Sequence, residues 1–239
     1  MQKQKKIKKI NLYGELAEYL GRDPQLVKAY CQCAPVILAY EWEAKKDDPI
    51  EYYRSTQNYI FDLTFYASML QDAGFFDWYD RVLDVHAIKS VLDFGGGCGF
   101  YASIAAKKGL RVDYVDIAGS VTEKYAKYRF KRDGIWPGVL DLGDPMKDYD
   151  LIVAMDVFEH IADNKPVIAE VARHCRYMIC NLPFEIPYNY LYPQHISKVD
   201  LNSHFDLIGG HLWRPKTGAR SQSLIQNFFQ KINPVALAG

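Results

Sequence analysis

Residues 91–100 read Val-Leu-Asp-Phe-Gly-Gly-Gly-Cys-Gly-Phe, an apolar run that leads into a cluster of glycines. This order predicts a buried strand, a sharp turn and the start of a helix. Glycines let the backbone turn tightly and let a ligand approach without a side chain in between. The N-terminus of the helix offers free N–H groups to a phosphate or carboxylate. The stretch therefore predicts a site for an adenosine-containing cofactor at the carboxyl ends of the strands in an open sheet.

Short apolar runs alternate with helix-length segments from residue 88 to residue 182. We predict five strands, at 90–94, 111–115, 138–142, 149–155 and 176–180. Helices are predicted between them, at 100–108, 121–131 and 166–174. Strand–helix alternation of this kind predicts an α/β fold with a doubly wound, mainly parallel sheet.

The part of the chain before this region has a different pattern. Apolar and aromatic residues recur at spacings of four and three over 51–72, which predicts one long amphipathic helix, and 77–85 predicts a shorter one. We therefore expect a helical N-terminal extension at 1–86 and a cofactor-binding domain at 87–239. The end of the chain is less regular: 204–213 predicts a single sixth strand, and 224–229 is the only candidate for a seventh.

Composition narrows the classes of partner. The chain has 239 residues, with 29 basic and 29 acidic side chains, so it has no general attraction for nucleic acids or anionic membranes. No apolar run approaches the ~18 residues of a membrane span, and the basic start lacks the apolar stretch of a signal peptide. The five cysteines are an odd number in a chain of this size, which favours free thiols. These features predict a cytoplasmic protein.

The glycine cluster fits two classes of cofactor site. Residues 97–102, Gly-Cys-Gly-Phe-Tyr-Ala, match the looser G-x-G-x-x-A pattern of dinucleotide folds, so an NAD-dependent oxidoreductase is one alternative. Asp93, however, stands two residues before the first glycine, at a position that is normally apolar in dinucleotide folds. A carboxylate there suits a cofactor that carries an ammonium group.

Four motifs resemble those of the class I S-adenosylmethionine-dependent methyltransferases, and they follow one another in that family's order. The first, D-x-G-x-G-x-G, is matched by Asp93, Gly95, Gly97 and Gly99. The second is an acid at the end of strand two, matched by Asp116, which the resemblance assigns to the ribose hydroxyls. The third is an acid after strand three, matched by Asp141, which the resemblance places near the adenine amino group.

The fourth motif lies at the end of strand four. Residues 149–161 read Tyr-Asp-Leu-Ile-Val-Ala-Met-Asp-Val-Phe-Glu-His-Ile, which is similar to a segment of the ubiquinone-biosynthesis O-methyltransferases. The resemblance implies S-adenosylmethionine as cofactor and adds Asp156 to the cofactor-binding residues. The long helical front and the lack of a clear closing hairpin after strand five are departures from the family pattern.

Three polar residues near the end of strand four are the catalytic candidates, namely Asp156, Glu159 and His160. A base is needed only where the acceptor must lose a proton, and an imidazole titrates near neutrality. A purely structural role for His160, holding the loop over the cofactor, is the alternative.

A divalent metal is the less favoured interpretation of the same residues. Carboxylates and imidazoles can hold a divalent cation, and His195 would complete such a set. Similar clusters bind a metal in the ubiquinone O-methyltransferases and in the small-RNA 2′-O-methyltransferases. Here the first acid is the shorter Asp156, and many non-metal relatives also carry a Glu-His pair at this place. We therefore predict a site without metal.

Aromatic residues flank the predicted core on both sides and suit a pocket for a small organic acceptor. They are Tyr52, Tyr53, Tyr59 and Tyr66 before it, and Phe184, Tyr188, Tyr190 and Tyr192 after it. For most of the tyrosines before the core, the favoured alternative is that they pack their helix onto the sheet. The sequence predicts methylation of an oxygen or nitrogen atom of such an acceptor. An RNA or another macromolecule is the alternative acceptor, which the five lysines among residues 3–9 favour and the zero net charge opposes.

Overall fold

The computed structural model describes residues 9–181 and 192–216. Five helices precede the first strand: α1 (Leu12–Leu20), α2 (Pro24–Lys45), α3 (Pro49–Ser55), α4 (Tyr59–Asp72) and α5 (Phe75–Val85). The Asp23 carboxylate caps α2 by accepting from the N–H groups of Gln25 and Leu26. These helices confirm the helical character of the front, while the domain boundary at residue 86 stays a prediction.

The single helix predicted over 51–72 is wrong, because the chain breaks between α3 and α4. Thr56 is extended, with φ −65° and ψ 131°. Its hydroxyl donates to Glu41 at 2.6 Å and accepts from the Asn58 N–H at 3.3 Å. Such local side-chain bonds compete with helix continuation. The break lets the two helices take different directions while both keep an apolar face inward.

The sheet has seven strands: β1 (Ser90–Phe94), β2 (Arg111–Val115), β3 (Gly138–Leu140), β4 (Tyr149–Ala154), β5 (Cys175–Cys180), β6 (Phe205–Gly209) and β7 (Leu212–Pro215). Their order is β3-β2-β1-β4-β5-β7-β6. Strands β1 to β5 run parallel to one another, and β7 runs antiparallel to β5 and β6. Helices α6 (Phe100–Lys107), α7 (Val121–Asp133) and α8 (Lys165–His174) connect them. The prediction of a doubly wound, mainly parallel sheet is confirmed.

The chain closes the sheet with a hairpin, so the expectation of one strand over 204–213 and no closing hairpin is wrong. The turn lies at Gly210, whose φ of 57° is in the left-handed region that glycine tolerates best. The pair Gly209-Gly210 between two strand-like halves is a hairpin signal that the prediction of a single strand did not use. The candidate strand at 224–229 lies outside the described residues.

The sheet is buried on both faces, and each face has its own apolar core. Val91, Leu151 and Val153 in the two central strands are fully buried. One core joins the α6 and α7 side of the sheet to apolar residues of α1, α4 and α5. The other lies under α8 and the closing hairpin. The N-terminal helices therefore stand on the sheet next to the carboxyl ends of its strands. In the described part of the chain, no helix is apolar over a length that would cross a bilayer.

Candidate active site

The turn between β1 and α6 has the tight backbone that its glycines predict. Gly95, Gly97 and Gly99 have φ values of 63°, 51° and 67°, a region in which side chains with a Cβ are strained. A Cβ on Gly95 would lie 2.6 Å from Val157, and a Cβ on Gly97 would lie 2.6 Å from Leu63. Both conformation and space therefore require glycine at these two positions.

Asp93 lies at the base of this turn and is almost completely buried, with 1% of its surface exposed. Its Oδ2 accepts a hydrogen bond from the N–H of Ala102 in α6 at 2.8 Å. Burial raises the pKa of Asp93 to about 8. The carboxyl group thus ties the glycine turn to the helix that follows it, and it also lines the cavity described below. Its contact with a cofactor ammonium stays a prediction.

Asp116, after β2, holds the glycine turn from the other side. Its Oδ2 accepts from the N–H of Gly97, and its Oδ1 accepts from the N–H of Ile117 at 2.6 Å. Burial raises its pKa to about 6, although both N–H bonds act in the opposite direction. The Asp116 carboxylate therefore lies at the junction of two strand ends, where it also lines the cavity.

Asp141 is exposed in the loop after β3. Its N–H donates to the Asp144 carboxylate at 3.0 Å. Of this loop, Leu142, Asp144, Pro145 and Met146 line the cavity. Asp144 was not predicted from the sequence, and the contact of Asp141 with an adenine stays a prediction.

Four polar residues form one cluster near the carboxyl end of β4, namely Asp156, Glu159, His160 and His195. Each offers one ligand atom, and these atoms all lie within 4.8 Å of one another. The Nε2 atom of His160 is 3.6 Å from Asp156 Oδ2, and the Nε2 atom of His195 is 3.7 Å from Asp156 Oδ1. Glu159 and His160 belong to a single 3₁₀ turn, Phe158–His160, whereas His195 comes from the segment after residue 191. We refer to these four residues as the acid–histidine cluster.

The backbone at Asp156 is held in an unusual conformation. Its φ is 61°, which is uncommon for a residue other than glycine. The Asn181 Oδ1 at the end of β5 accepts from the Asp156 N–H at 2.6 Å, and its Nδ2 donates to the Tyr66 hydroxyl at 3.2 Å. Local strain of this kind persists only where surrounding contacts compensate it. Asn181 thus positions the first acid of the cluster.

The charges within the cluster oppose one another. Burial raises the pKa of Asp156, but His160 and His195 lower it by a larger amount, so the net shift is downward. Burial and the neighbouring Asp156 raise the pKa of Glu159 to about 7. Burial lowers the pKa of His160, yet Asp156 outweighs it and the net shift is upward. Burial and His160 lower the pKa of His195 to about 4.

Several atoms of the cluster are buried without a hydrogen-bond partner among the described residues. They are both carboxylate oxygens of Glu159, Nε2 of His160 and Nε2 of His195. Buried polar atoms in proteins almost always have partners, so a group of them that faces one point calls for an explanation. Two carboxylates and two imidazoles are a donor set that divalent cations accept. The residues therefore fit a metal ion as well as a proton-transfer role.

The N-terminal helices reach into this site, as their aromatic residues predicted, but the direct contact of Tyr53 with His160 was not predicted. The Tyr53 hydroxyl of α3 lies 2.7 Å from Nδ1 of His160, and the Gln194 carbonyl lies 3.1 Å from the same atom. Asp62 of α4 is buried, and burial together with Asp156 raises its pKa to about 7. The tyrosine-rich composition of the front was the only sequence signal for these contacts. Phe184, Tyr188 and Tyr190 lie outside the described residues.

One cavity of about 630 Å³ joins these parts. Its floor is the glycine turn with Asp93 and Asp116, and its far wall carries Asp156 and His160. Apolar and aromatic residues of α3 and α4 complete the lining: Ile50, Tyr53, Tyr59, Leu63 and Tyr66. Asp93, Asp116, Asp156 and His160 therefore face a common space, whereas Gly99, Asp141, Glu159 and His195 are not among the residues that line it.

Comparisons with known proteins identify the family to which the chain belongs. The sequence model of a family described as a methyltransferase domain matches residues 72–214, more than half of the chain. No curated protein matches. Among solved structures, the chain is similar to the O-MT segment of StiE, with 25% identity over 43% of this chain and 40% of that chain and a TM-score of 0.37.

Two further structures are similar at lower identity. An S-adenosylmethionine-dependent methyltransferase from Clostridium acetobutylicum is 18% identical over 48% of this chain and 55% of that one, with a TM-score of 0.40. YcgJ from Bacillus subtilis is 19% identical over 54% and 63%, with a TM-score of 0.42. The chain covers less than two thirds of each of these structures, so the assignment rests on the family model.

The family match and the motifs agree with each other. The match includes all four motif regions, from Asp93 to Asp156, and the strand order is that of an open α/β sheet with its site at the carboxyl ends. It also favours methyl transfer over the NAD-dependent reaction that the looser glycine pattern left open. The chain belongs to the methyltransferase-domain family, and its sheet and its motif order are those of the class I S-adenosylmethionine-dependent methyltransferase fold.

Proposed function

We propose that the protein transfers a methyl group from S-adenosylmethionine to an oxygen or nitrogen atom of a small organic acceptor. One observation carries this proposal: the glycine turn and two members of the acid–histidine cluster, Asp156 and His160, line the same cavity of about 630 Å³. Pockets for small molecules typically have volumes of ~300–1,000 Å³. The cavity therefore has room for a cofactor and an acceptor of modest size together.

The cofactor side of the cavity is built by the glycine turn and Asp116. Each carboxylate oxygen of Asp116 accepts one backbone N–H, which leaves lone pairs for two ribose hydroxyls. Gly95 and Gly97 keep side chains away from the methionyl part of the cofactor, whereas Gly99 lets the turn pack closely on Phe130 of α7. Asp93 and Asp141 are assigned to the cofactor's ammonium group and to its adenine. When bound, S-adenosylmethionine supplies an electrophilic methyl group on a positively charged sulfur.

Proton transfer is assigned to the acid–histidine cluster. An acceptor hydroxyl releases one proton when it is methylated, and Nε2 of His160 is the nitrogen available to receive it, since Nδ1 faces Tyr53 and Gln194. Asp156 stabilises the protonated imidazole, which is the reason for the upward shift in the pKa of His160. Glu159, with its pKa raised to about 7, is assigned the role of a second proton carrier.

The acceptor side is the aromatic wall of the N-terminal helices. Tyr53, Tyr59 and Tyr66 offer ring faces, and Leu63 covers the glycine turn. We propose that residues 1–86 act as a cap over the cofactor site. A site covered in this way favours a small acceptor over a folded RNA, which needs an open, positively charged surface.

A metal-assisted version of the same reaction is the second candidate, and the unpartnered buried atoms of the cluster favour it. Asp156, Glu159, His160 and His195 would hold the cation. A divalent cation polarises a bound oxygen and so lowers the pKa of an acceptor hydroxyl. In that version His160 binds the cation and is not free to receive the proton.

The cofactor assignment is tested by calorimetric titration of the protein with S-adenosylhomocysteine, with NAD as the parallel ligand. We expect micromolar binding of the first and none of the second. Binding of NAD alone would overturn the assignment of Asp93 and Asp116 to an S-adenosylmethionine site.

The acceptor class is tested with S-adenosylmethionine that carries an isotope-labelled methyl group. The protein is incubated in parallel with a pool of small metabolites and with total RNA, and labelled products are identified by mass spectrometry. We expect label in small molecules. Label in RNA alone would assign the acceptor to the macromolecular alternative.

A further inference from the structure

Arg129 of α7 is a charged residue inside the apolar packing between α7 and the glycine turn. It is fully buried, and it is the only buried Lys or Arg in the part of the chain that the structure describes. Its neighbours in the same helix, Ala126 and Phe130, pack directly on the turn, because a Cβ on Gly99 would lie 3.1 Å from the first and 2.7 Å from the second. A cation buried at this place requires polar partners.

The guanidinium group of Arg129 bonds to the backbone of the glycine turn. Its Nη1 donates to the Cys98 carbonyl at 2.8 Å and to the Ser103 hydroxyl at 3.3 Å. The Ser103 hydroxyl donates in turn to the Gly99 carbonyl at 2.7 Å. The guanidinium carbon also lies 4.3 Å from the centre of the Phe100 ring, which adds a cation–π contact. Arg129 is therefore bonded to the turn directly, through Cys98, and indirectly, through Ser103.

The neighbouring carbonyls of the turn have donors from elsewhere. The Gly96 carbonyl accepts from the N–H of Gly99 at 2.7 Å, and the Gly97 carbonyl accepts from the Tyr114 hydroxyl at 2.7 Å. The Cys98 carbonyl takes its donor from α7. Buried carbonyls need a donor, so loss of the guanidinium group would leave the Cys98 carbonyl without this partner and let the turn change conformation. The same turn lines the cofactor side of the cavity.

The charge of Arg129 also acts on Asp93. Burial raises the pKa of Asp93 to about 8, and the positive charge of Arg129 acts in the opposite direction. The guanidinium group thus favours the ionised form of the carboxyl group that we assign to the cofactor's ammonium group. Both the backbone of the turn and the charge of its first acid are therefore influenced by Arg129.

Helix α1 supplies the counter-charge of Arg129. The Nε of Arg129 donates to Glu15 Oε2 at 3.1 Å, and Nη2 of Arg132 lies 2.8 Å from Glu15 Oε1. Only the Nη2 of Arg129 has no hydrogen-bond partner among the described residues. None of the residues of α1, all of which the structure describes, lines the cavity. The contacts therefore connect α1 to the cofactor turn through Glu15, Arg129 and the Cys98 carbonyl, in that order.

Stability alone does not account for this ion pair. The cost of removing two charges from water can exceed their attraction, and apolar residues often replace a buried ion pair without loss of stability. What an arginine adds is a planar group whose donors have fixed directions. Here Nε bonds the Glu15 carboxylate of one element, while Nη1 bonds the Cys98 carbonyl of another. The side chain therefore transmits a position from one element to the other.

We propose that Arg129 is a positioning residue of the cofactor site and that Glu15 couples helix α1 to it. This inference rests on the proposed function, because it concerns the turn that binds the cofactor there. Docking of α1 fixes the guanidinium group, and the guanidinium group fixes the Cys98 carbonyl in the conformation that binds the cofactor. Because such coupling is reciprocal, binding of the cofactor also strengthens the docking of α1.

Calorimetric titration with S-adenosylhomocysteine tests the positioning role. Arg129→Met keeps an unbranched side chain but has no donor, and we expect it to weaken binding by about 10-fold. Arg129→Lys keeps the charge but cannot bond Glu15 and Cys98 together, so its loss should be smaller, about 3-fold. The control is Lys107→Met, which removes an ion pair of 2.6 Å with Asp133 between α6 and α7. Equal weakening by Arg129→Met and Lys107→Met would overturn the positioning role.

A double-mutant cycle tests the coupling to α1. We expect Glu15→Gln to weaken binding of S-adenosylhomocysteine by about 3-fold in the native background. In the Arg129→Met background the same change should alter binding by less than about 1.5-fold, because Glu15 acts only through Arg129. Glu18→Gln, at an exposed acid of the same helix, is the control and should leave binding unchanged. Equal effects of Glu15→Gln in both backgrounds would overturn the coupling.

Hydrogen exchange tests the coupling in the native protein, where no variant has to fold. S-adenosylhomocysteine is expected to slow exchange of the backbone amides of Leu12–Leu20, although α1 does not line the cavity, and to slow it less in Glu15→Gln. Unchanged exchange in native protein that binds S-adenosylhomocysteine would overturn the coupling. Native protein that does not bind S-adenosylhomocysteine would overturn the proposed function and this inference with it. Native binding that Arg129→Met leaves unchanged would overturn the inference alone.

Discussion

The hydroxyl of Tyr53 lies 2.7 Å from Nδ1 of His160, although 107 positions separate the two residues in the chain. The carbonyl of Gln194 lies 3.1 Å from the same nitrogen. A carbonyl can only accept, so that bond requires a hydrogen on Nδ1. The lone pair of the neutral imidazole is then on Nε2, which faces Asp156. Helix α3 therefore contributes to the orientation of the proposed base.

Replacing Tyr53 by Phe tests this relationship. We expect Tyr53→Phe to lower kcat by about 10-fold, since one bond that fixes the imidazole is lost. Binding of S-adenosylhomocysteine should change less than about 2-fold, because the cofactor side is not touched. Tyr52→Phe is the matched control: it removes a buried hydroxyl from the same helix, one that donates to the Leu38 carbonyl. Equal losses of kcat in both variants would show a general effect on the cap.

The Asp116 carboxylate is the sharpest test of the cofactor side. In Asp116→Asn one acceptor oxygen becomes an NH₂ group, which faces an N–H of the glycine turn or of Ile117. We expect the affinity for S-adenosylhomocysteine to fall by about 10- to 100-fold. The new NH₂ group faces a backbone N–H, so two donors meet, and a ribose hydroxyl loses an acceptor oxygen. Calorimetry measures the change, and Asp163→Asn, at an exposed acid, is the control. Unchanged affinity in Asp116→Asn would remove this residue from the site.

The parallel core was predictable because its signals are local. The run at 91–100 contains strand, turn and helix start in one stretch, and the glycines there are needed for backbone reasons that the sequence alone reveals. The position of Asp116, the acid of the second motif, was predictable for a similar reason, because parallel strands bring their carboxyl ends to one edge of the sheet. Asp116 therefore lies beside the glycine turn and lines the cavity, while its contact with the ribose hydroxyls stays a prediction.

The rest of the site depends on contacts between distant segments. The break at Thr56 rests on a hydrogen bond to Glu41 in another helix, which no periodicity reveals. The pairing of Tyr53 with His160, and of Asn181 with the backbone of Asp156, likewise exists only after the front helices dock on the sheet. These features are tertiary, and a pattern along the chain does not encode them.

Glycine is required at Gly97 both by its positive φ and by the close approach of Leu63, and substitutions can distinguish these two effects. Gly97→Ala adds a Cβ at a φ of 51°, 2.6 Å from Leu63, whereas Gly109→Ala adds one at a φ of 78° in open space. The strain alone is expected to cost about 1–2 kcal/mol of unfolding free energy. We expect Gly97→Ala to cost more than Gly109→Ala in urea denaturation, and Leu63→Ala to reduce that difference. Equal costs would show that Leu63 moves aside freely.

The two versions of the reaction differ in whether the acid–histidine cluster binds a cation. If it does, protein treated with EDTA and dialysed should take up one Mn²⁺ per chain, as measured by the loss of the free-ion signal in electron paramagnetic resonance. Glu159→Gln is expected to weaken uptake at least about 10-fold, because it replaces a charged ligand. Glu170→Gln, which alters an acid of the cavity wall outside the cluster, is the control. The absence of uptake by the native protein would leave the metal-free version.

Asp62 predicts a pH dependence of stability whose sign follows from its burial. Burial and Asp156 raise its pKa from 3.8 to about 7, so the folded chain retains a proton that the unfolded chain releases between these values. The free energy of unfolding therefore falls as pH rises through this window. Asp62→Asn cannot titrate, so its stability relative to the native protein should rise by up to about 4 kcal/mol from pH 4 to pH 8. Urea denaturation at several pH values measures the difference, with exposed Asp163→Asn as the reference. A difference that stays flat across this range would mean that Asp62 keeps its charge in the folded protein.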